Sequence, residues 1–200
     1  MDITVERLTP LRVDDYPRFF DHEHGPAFAD NPEWARCYCH YYHVAPALDW
    51  PSFTGEMNQR AMRARIETGE MEGYLAYVNG DVVGWMNAQP YSKLRHACAR
   101  LRLAPPTMPA APHEAAAIVC FVVAPAFRRR GVSRTLLAAG IANLAERGVV
   151  FVDAYPWNVG EGDATATDHY HGPRRMFEAA GFVEIAADER MSVMRKTLQP

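Results

Sequence analysis

The order of hydrophobic and polar residues predicts an alternation of strands and helices, with one segment clearer than the rest. An unbroken apolar run from Ile118 to Val123, rich in β-branched and aromatic residues, is typical of a strand buried on both faces. From Ser133 onward, apolar residues recur at three- and four-residue spacing, which predicts a helix with one apolar face. The segment from Ile118 to Ile141 is therefore predicted to be a buried strand, a turn and a helix.

Weaker patterns predict the other elements. Asn79-Gly80 separates two strand-like runs, which favours a hairpin with a primed turn. Residues 87–113 hold five prolines and little periodicity, so they predict a long loop that covers a functional site. The remaining patterns predict strands at 3–8, 74–78, 81–86, 149–155, 182–185 and 192–198, and helices at 13–20, 53–68 and 172–180.

The turn between the central strand and its helix has the chemistry of an anion site. A strand that leads directly into a helix leaves the first helical N–H groups without partners, at the positive end of the helix dipole. Gly131 lets the backbone approach a ligand closely. Three arginines, Arg128 to Arg130, add the charge that suits a pyrophosphate. The alternative is a solvated basic turn without a ligand.

These residues resemble the acyl-CoA-binding motif of the GNAT superfamily of N-acetyltransferases. The motif is written (Gln or Arg)-x-x-Gly-x-(Gly or Ala), and this chain has Arg128-x-x-Gly131-x-Ser133 after Val122-Val123-x-Pro125. Ser133 departs from the last position but is also small. The placement between a buried strand and an amphipathic helix is the context that the motif requires.

The resemblance implies an α/β fold with a central mixed, mostly antiparallel twisted sheet of about six or seven strands flanked by helices, in one domain over residues 1–200. In this fold two central strands splay apart, and the pantetheine arm of CoA binds the freed backbone. It implies acetyl-CoA as cosubstrate. The implied cofactor-binding residues are Phe121, Val122, Val123, Arg128, Arg129, Arg130, Gly131, Val132, Ser133 and Arg134.

Composition narrows the class of protein. A net charge of −3 with 48% apolar residues is typical of a globular protein, and it argues against disorder and against nucleic-acid binding. The start, Met1 to Glu6, lacks the pattern of a secretory signal, and no run is long enough to span a membrane. We therefore expect a cytoplasmic protein whose four cysteines are reduced thiols. Proteins of the GNAT superfamily are often dimers, so a homodimer is possible.

Residues 21–50, rich in aromatic residues, histidines and cysteines, are the predicted source of acceptor specificity, because this segment commonly helps form the acceptor pocket in GNAT proteins. Cys37, Cys39, His40 and His43 also suggest a zinc site. Their spacing is poor for zinc, since one residue separates the cysteines and no second pair follows. We predict no metal and a packed or pocket-lining helix.

The usual proton-transfer residues of the family are absent. Many GNAT enzymes have a tyrosine acid where this chain has Phe177, and some have a glutamate base where it has Ala117. Tyr170 is the candidate acid, because seven residues before Phe177 is nearly the same helical face if the helix extends that far. Asp153 is the candidate base, because it interrupts an apolar strand and a buried carboxylate needs a partner or a role. A structural tyrosine and a structural aspartate are the alternatives.

Other polar residues are weaker candidates. His113, Glu114, His169 and His171 are each expected in loops or at the surface. Cys120 lies in a strand without a basic neighbour, so we reject it as a nucleophile.

The sequence thus predicts an acetyl-CoA-dependent N-acetyltransferase that acylates an amine, more readily a small molecule than a protein, by direct attack in a ternary complex. The first alternative is a catalytically silent acyl-CoA-binding or sensor module, supported by Phe177 and Ala117. The second is a zinc-dependent regulatory protein built on the cysteine and histidine residues at 37–43.

Overall fold

A computed structural model of the protein describes residues 1–108, 111, 113–158 and 169–198. Its seven strands form one sheet in the order β1-β2-β3-β4-β5-β7-β6. All neighbouring strands are antiparallel except β4 and β5, which are parallel. The strands are β1 (Thr4–Arg7), β2 (Tyr74–Val78), β3 (Asp81–Pro90), β4 (Ala115–Val123), β5 (Phe151–Ala154), β6 (Val183–Ala187) and β7 (Ser192–Thr197).

Two hydrophobic layers cover the two faces of this sheet, as expected for strands that are apolar on both sides. One layer includes Leu136 and Leu137 of the motif helix, together with Phe177. The other includes Phe20, Met62 and further side chains from the helices that precede and follow β2 and β3. The α-helices are α1 (Asp15–Phe19), α2 (Pro32–Ala35), α3 (Gly55–Glu67), α4 (Ala97–Leu101), α5 (Val132–Glu146) and α6 (Arg174–Ala179).

The two central strands separate part-way along their length. β4 pairs with β5 only from Ala115 to Ile118, opposite Phe151 to Ala154. Beyond that point β4 continues to Val123 while β5 has ended. A bulge lies at the same place, because the β3 pairing shifts from Cys120 to Ile118 and skips Val119. The predicted mixed sheet with splayed central strands is therefore confirmed.

The hairpin turn predicted from two adjacent residues agrees with the structure. Asn79 and Gly80 have φ values of 52° and 87° between β2 and β3, as a primed turn requires.

The predicted long loop at 87–113 is wrong in two respects: β3 runs on to Pro90, and α4 follows. The continuation buries Asn87 and Gln89, and Gln89 Nε2 donates to Asn87 Oδ1 at 2.7 Å, whereas Asn87 Nδ2 has no partner among the described residues.

Candidate functional site

A cavity of about 670 Å³ lies on the sheet face that carries α1, α3 and α4. Ten of its thirteen lining residues come from the predicted acceptor segment, residues 21–50. Cys120 and Val122 of β4 form the floor, and Tyr170 completes the wall. The residues from the acceptor segment are Phe28, Pro32, Glu33, Trp34, Arg36, Cys37, Cys39, Tyr41, Tyr42 and Trp50.

The acceptor segment is not the single helix that we predicted around Cys37 to His43. It contains α2 and a 3₁₀ turn at His40–His43, separated by Tyr38 and Cys39 with φ values of 47° and 51°. Left-handed backbone is costly for such residues and persists only where neighbours hold it. The Tyr16 hydroxyl does so by donating to the Tyr38 carbonyl at 2.6 Å. The reversal turns Cys37 and Cys39 toward the cavity.

Two polar side chains outside the segment also hold it in place, and sequence reasoning missed both. The buried Asn58 side chain accepts at Oδ1 from His40 Nδ1 at 2.8 Å, and its Nδ2 donates to the Arg36 carbonyl at 2.8 Å. Arg100 donates to the Val44 and Ala45 carbonyls, both at 3.0 Å. Asn58 was detectable, because it precedes Met62 and Ile66 at four-residue spacing on the apolar face of α3.

The gap beside β4 adjoins the cavity. The backbone N–H and C=O groups of successive β4 residues point alternately to the two edges of the strand. The Ala124 N–H donates to the Val83 carbonyl of β3, so the backbone groups of Phe121 and Val123 point to the opposite edge, at the gap. The Phe121 N–H donates to the Tyr170 carbonyl at 2.5 Å. Val122 points its side chain into the cavity, whereas the Phe121 ring packs in the opposite layer, 6.2 Å from that of Phe177.

The N-terminus of α5, where the sequence predicts an anion site, lies at the end of β4. Gly131, with φ 90°, precedes α5 and no side chain caps it. Among the described residues, no hydrogen-bond acceptor meets the amides from Arg129 to Arg134. A Cβ on Gly131 would find no atom within 4 Å, so the backbone is open to a ligand there. The site therefore offers several free N–H groups at the positive end of a fifteen-residue helix.

The arginines of the motif divide into two groups. Arg129, Arg130 and Arg134 are exposed and form no ion pair with any residue that the structure describes. Arg128 instead points to Asp30, with Nη2 2.9 Å from Oδ1, and its Nε donates to the Val123 carbonyl at 3.1 Å. The Arg128 guanidinium lowers the pKa of the Asp30 carboxyl. Arg128 thus joins the acceptor segment to the end of β4, and its predicted contact with the cofactor stays a prediction, as do those of the other three arginines.

The backbone amides of Val132 and Ser133 lie in the first turn of α5, and no acceptor among the described residues meets them. The Val132 side chain is buried against β3, where a Cβ on Gly84 would lie 2.7 Å from Val132 Cγ1. Ser133 is half-buried in the first turn of α5.

Tyr170 lines the cavity, but the helical spacing from Phe177 on which its prediction rested is not present. α6 begins only at Arg174, so Tyr170 precedes the helix and does not share a helical face with Phe177. Phe177 is fully buried in the other layer, 5.3 Å from the Phe182 ring. Burial raises the pKa of the Tyr170 hydroxyl well above its ordinary value, although a hydrogen bond with Tyr42 opposes the shift. Tyr170 is therefore protonated at neutral pH.

Asp153 does not line the cavity. Its carboxylate is fully buried and binds Arg195 twice, at 2.7 Å to Nε and 2.9 Å to Nη2. The Tyr91 hydroxyl donates to it at 2.8 Å. These contacts satisfy the carboxylate and favour the structural alternative, and the catalytic role of Asp153 stays a prediction. Ala117 is its pairing partner on β4 and is also fully buried.

The weaker candidates for catalysis have different surroundings from one another. His171 is buried rather than at the surface, and its Nε2 lies 3.3 Å from the Tyr42 hydroxyl. Burial lowers its pKa to about 3, so it is neutral at physiological pH. His113 is exposed, and the carbonyls of Glu114 and His169 accept backbone N–H groups of Val150 and Gly172.

Within the described ranges, no group of three or more His, Cys, Asp or Glu side chains comes together in a way that could hold a metal ion. The side chains of the acceptor segment have other contacts: His40 hydrogen-bonds to Asn58. Burial raises the pKa of Cys37 to about 12, which opposes the thiolate that zinc needs.

The sequence of this chain is similar to that of a known protein family. Residues 6–163 match the sequence profile of the Acetyltransferase (GNAT) family. The chain belongs to the GNAT acetyltransferase family. The resemblance inferred from Arg128, Gly131 and Ser133 is thereby confirmed. No curated protein shows a significant match to this GNAT chain.

Solved structures share the GNAT fold at low sequence identity. The ribosomal-protein-S18-alanine N-acetyltransferase of Escherichia coli is 16% identical with a TM-score of 0.52, over 100% of this chain and 96% of that one. A Salmonella typhimurium protein with its cofactor acetyl-CoA is 13% identical with a TM-score of 0.52, over 98% and 94%. A Thermoplasma acidophilum N-acetyltransferase in complex with coenzyme A is 11% identical with a TM-score of 0.52, over 98% and 99%. None of the described helices of this GNAT chain is long and apolar enough to cross a membrane.

Proposed function

We propose that this GNAT protein is an acetyl-CoA-dependent N-acetyltransferase that acylates a small-molecule amine by direct attack in a ternary complex. The observation that carries the proposal is the gap at Phe121 to Val123, which joins two complementary sites. The cavity lies on one face of the sheet. The uncapped N-terminus of α5 lies at the end of the same strand.

The α5 terminus fits the phosphates of acetyl-CoA. The free amides of residues 129–134 and the exposed side chains of Arg129, Arg130 and Arg134 supply donors and positive charge. The open space at Gly131 leaves room for close approach. The Phe121 N–H and the Val123 carbonyl already bond to Tyr170 and Arg128, so the Phe121 carbonyl and the Val123 N–H are the groups at the gap that can hold an extended amide-containing arm. When bound there, acetyl-CoA supplies the activated acetyl group.

We assign proton donation to the leaving thiolate to Tyr170. Its side chain belongs to the residues that line the cavity, and its backbone is fixed to β4 by the bond from Phe121 N–H. The raised pKa makes Tyr170 a weaker acid than a thiol with a pKa of about 8.5, so its proton is shared with the departing sulfur in a hydrogen bond and is not transferred ahead of carbon–sulfur cleavage. Backbone N–H groups on the free edge of β4 can stabilise negative charge on a carbonyl oxygen without a special side chain.

The acceptor must lose a proton before or during attack, since an alkylamine has a pKa near 10. Glu33 is the only carboxylate among the lining residues, and it is exposed at the mouth of the cavity. We propose that the proton leaves to water at this mouth. Asp153 is bound to Arg195 and Tyr91, so it does not face this path.

The test is release of CoA thiol from acetyl-CoA with a panel of primary amines, with product identity checked by mass spectrometry. Acetylated amine formed in an enzyme-dependent way supports the proposal. Tight binding of acetyl-CoA without turnover of any amine would instead support the silent acyl-CoA-binding module.

A further inference from the structure

The wall of the cavity is dominated by aromatic rings, which restricts the acceptors that it can bind well. Six of its thirteen lining residues are aromatic, and only Glu33 and Arg36 carry charge. Both charged residues are exposed. A polycationic aliphatic amine would need several carboxylates, which this lining does not offer. The aromatic residues are Phe28, Trp34, Tyr41, Tyr42, Trp50 and Tyr170.

Several of these rings are already partly covered: Trp50 stacks on Phe53 with centroids 5.8 Å apart, Arg100 lies over Tyr41 at 4.6 Å, and Tyr170 packs on His171 at 4.1 Å. Trp34 is less covered, since Tyr170 is its one aromatic neighbour among the described residues. Trp34 and Tyr170 meet edge to face, with centroids 5.0 Å apart and planes at 73°. Tyr41 and Trp50 do the same at 5.3 Å and 78°. An additional ring can pack against such walls in the edge-to-face or offset geometry that aromatic pairs prefer.

Apart from the exposed Glu33 and Arg36, the non-aromatic lining is uncharged. Burial raises the pKa of Cys37 to about 12, and a hydrogen bond with Cys120 together with burial raises the pKa of Cys39 well above its ordinary value, so both stay neutral thiols. Sulfur atoms make favourable contacts with aromatic rings. Val122 and Cys120 complete an apolar floor directly beside the gap.

The cavity is large enough to hold an aromatic ring. An engineered apolar cavity of about 150 Å³ binds benzene. A cavity of about 670 Å³ therefore has room for an amine with one or two rings in addition to the acetyl end of the cosubstrate. This volume also falls within the range of pockets that enclose small ligands.

We infer that the acceptor is a small primary amine that carries an aromatic ring, and that this ring binds against Trp34 and Tyr170. The inference rests on the proposed function, since it names the substrate class of the same site. The amino group then lies toward Cys120 and Val122, at the gap where the acetyl group is presented.

The experiment compares 2-phenylethylamine with 2-cyclohexylethylamine, which have the same carbon skeleton and a primary alkylamine nitrogen but differ in the π system. Dissociation constants are measured by calorimetry with saturating CoA, and kcat/KM by release of CoA thiol. We expect about a tenfold preference for the aromatic amine in both measurements. Trp34→Leu should abolish this preference, whereas Trp34→Phe should keep most of it. If Trp34→Leu fails to fold, Tyr170→Leu is the second test, with the preference measured by calorimetry alone.

Each outcome decides the matter. Equal binding of the two amines, a preference for the saturated one, or no binding of either at millimolar concentration overturns the inference. A preference that survives unchanged in Trp34→Leu overturns the placement of the ring. A tenfold preference by calorimetry without any acetylation keeps the inference about the cavity and contradicts the proposed function. Acetylation of aliphatic amines alone keeps the function and overturns the inference.

Discussion

The backbone N–H of Phe121 donates to the carbonyl of Tyr170 at 2.5 Å, so the free edge of the central strand directly fixes the residue that we assign as proton donor. Tyr170 precedes α6 and is held by this bond rather than by helical geometry. The position of its hydroxyl therefore depends on β4, the strand that also borders the cavity and ends at the anion site.

Tyr170→Phe removes only the hydroxyl and leaves the ring and backbone contacts. We expect kcat to fall about 100-fold, the typical lower range for loss of a positioned acid. The affinity for acetyl-CoA and the melting temperature should not change. Tyr41→Phe is the matched control, since Tyr41 lines the same cavity and should tolerate the change. A kcat of Tyr170→Phe within threefold of the wild type would exclude the proposed acid.

Asp153→Asn separates a structural from a catalytic role. Because the carboxylate is fully buried against Arg195, its loss leaves a charge without its partner. We expect the free energy of unfolding to fall by about 3 kcal/mol, as for other broken buried ion pairs. The kcat of the folded variant, measured at low temperature, should stay near wild type. If the stability of Asp153→Asn is unchanged but its kcat falls strongly, Asp153 is a catalytic residue. Asp81→Asn, at an exposed position, is the control for the loss of a carboxylate.

Asn58→Ala tests how the acceptor segment is positioned. It leaves His40 and the Arg36 carbonyl without their hydrogen bonds, so we expect a loss of about 2 kcal/mol in unfolding free energy. KM for the amine should rise while the affinity for acetyl-CoA is retained, because Asn58 contacts only the acceptor side. Arg60→Ala, exposed on the same helix, should change neither quantity. A parallel loss of acetyl-CoA affinity would contradict this division of roles.

Buried histidines predict the pH dependence of stability. Burial lowers the pKa values of His43 and His171 to about 3. In the unfolded chain they bind protons near pH 6.5, whereas in the folded chain they stay neutral. Stability is therefore lost as the pH falls from about 6.5 toward 3, at up to about 1.4 kcal/mol per pH unit for each histidine. Chemical denaturation at pH 7, 6 and 5 measures this slope. His43→Phe should reduce it, and an unaltered slope in that variant would show that His43 does not contribute.

The sequence predicted those parts of the fold and site that local patterns encode. The Asn79-Gly80 turn, the strand leading to Val123 and the helix after Gly131 each have a signal within a few residues. The assignment of residues 21–50 to the acceptor pocket came from the resemblance to the family, and the cavity lining agrees with it.

Features that depend on distant partners were not predictable. Arg195 lies 42 residues from Asp153 along the chain, and Arg128 lies 98 residues from Asp30. The left-handed backbone at Tyr38 and Cys39 depends on the Tyr16 hydroxyl. Helix α4 is only five residues long and lies among prolines, so periodicity could not reveal it.

The central claim is that the α5 terminus binds acetyl-CoA, and thermal unfolding with and without this ligand tests it most directly. At 100 times its dissociation constant, acetyl-CoA should stabilise the fold by about 2.7 kcal/mol. The triple variant Arg129→Ala, Arg130→Ala, Arg134→Ala should lose most of this shift while folding normally, and Gly131→Trp should also lose it by filling the open space. Arg175→Ala, exposed at another helix, should retain it. No shift of the wild type at millimolar acetyl-CoA, or an equal shift in the triple variant, would contradict the account.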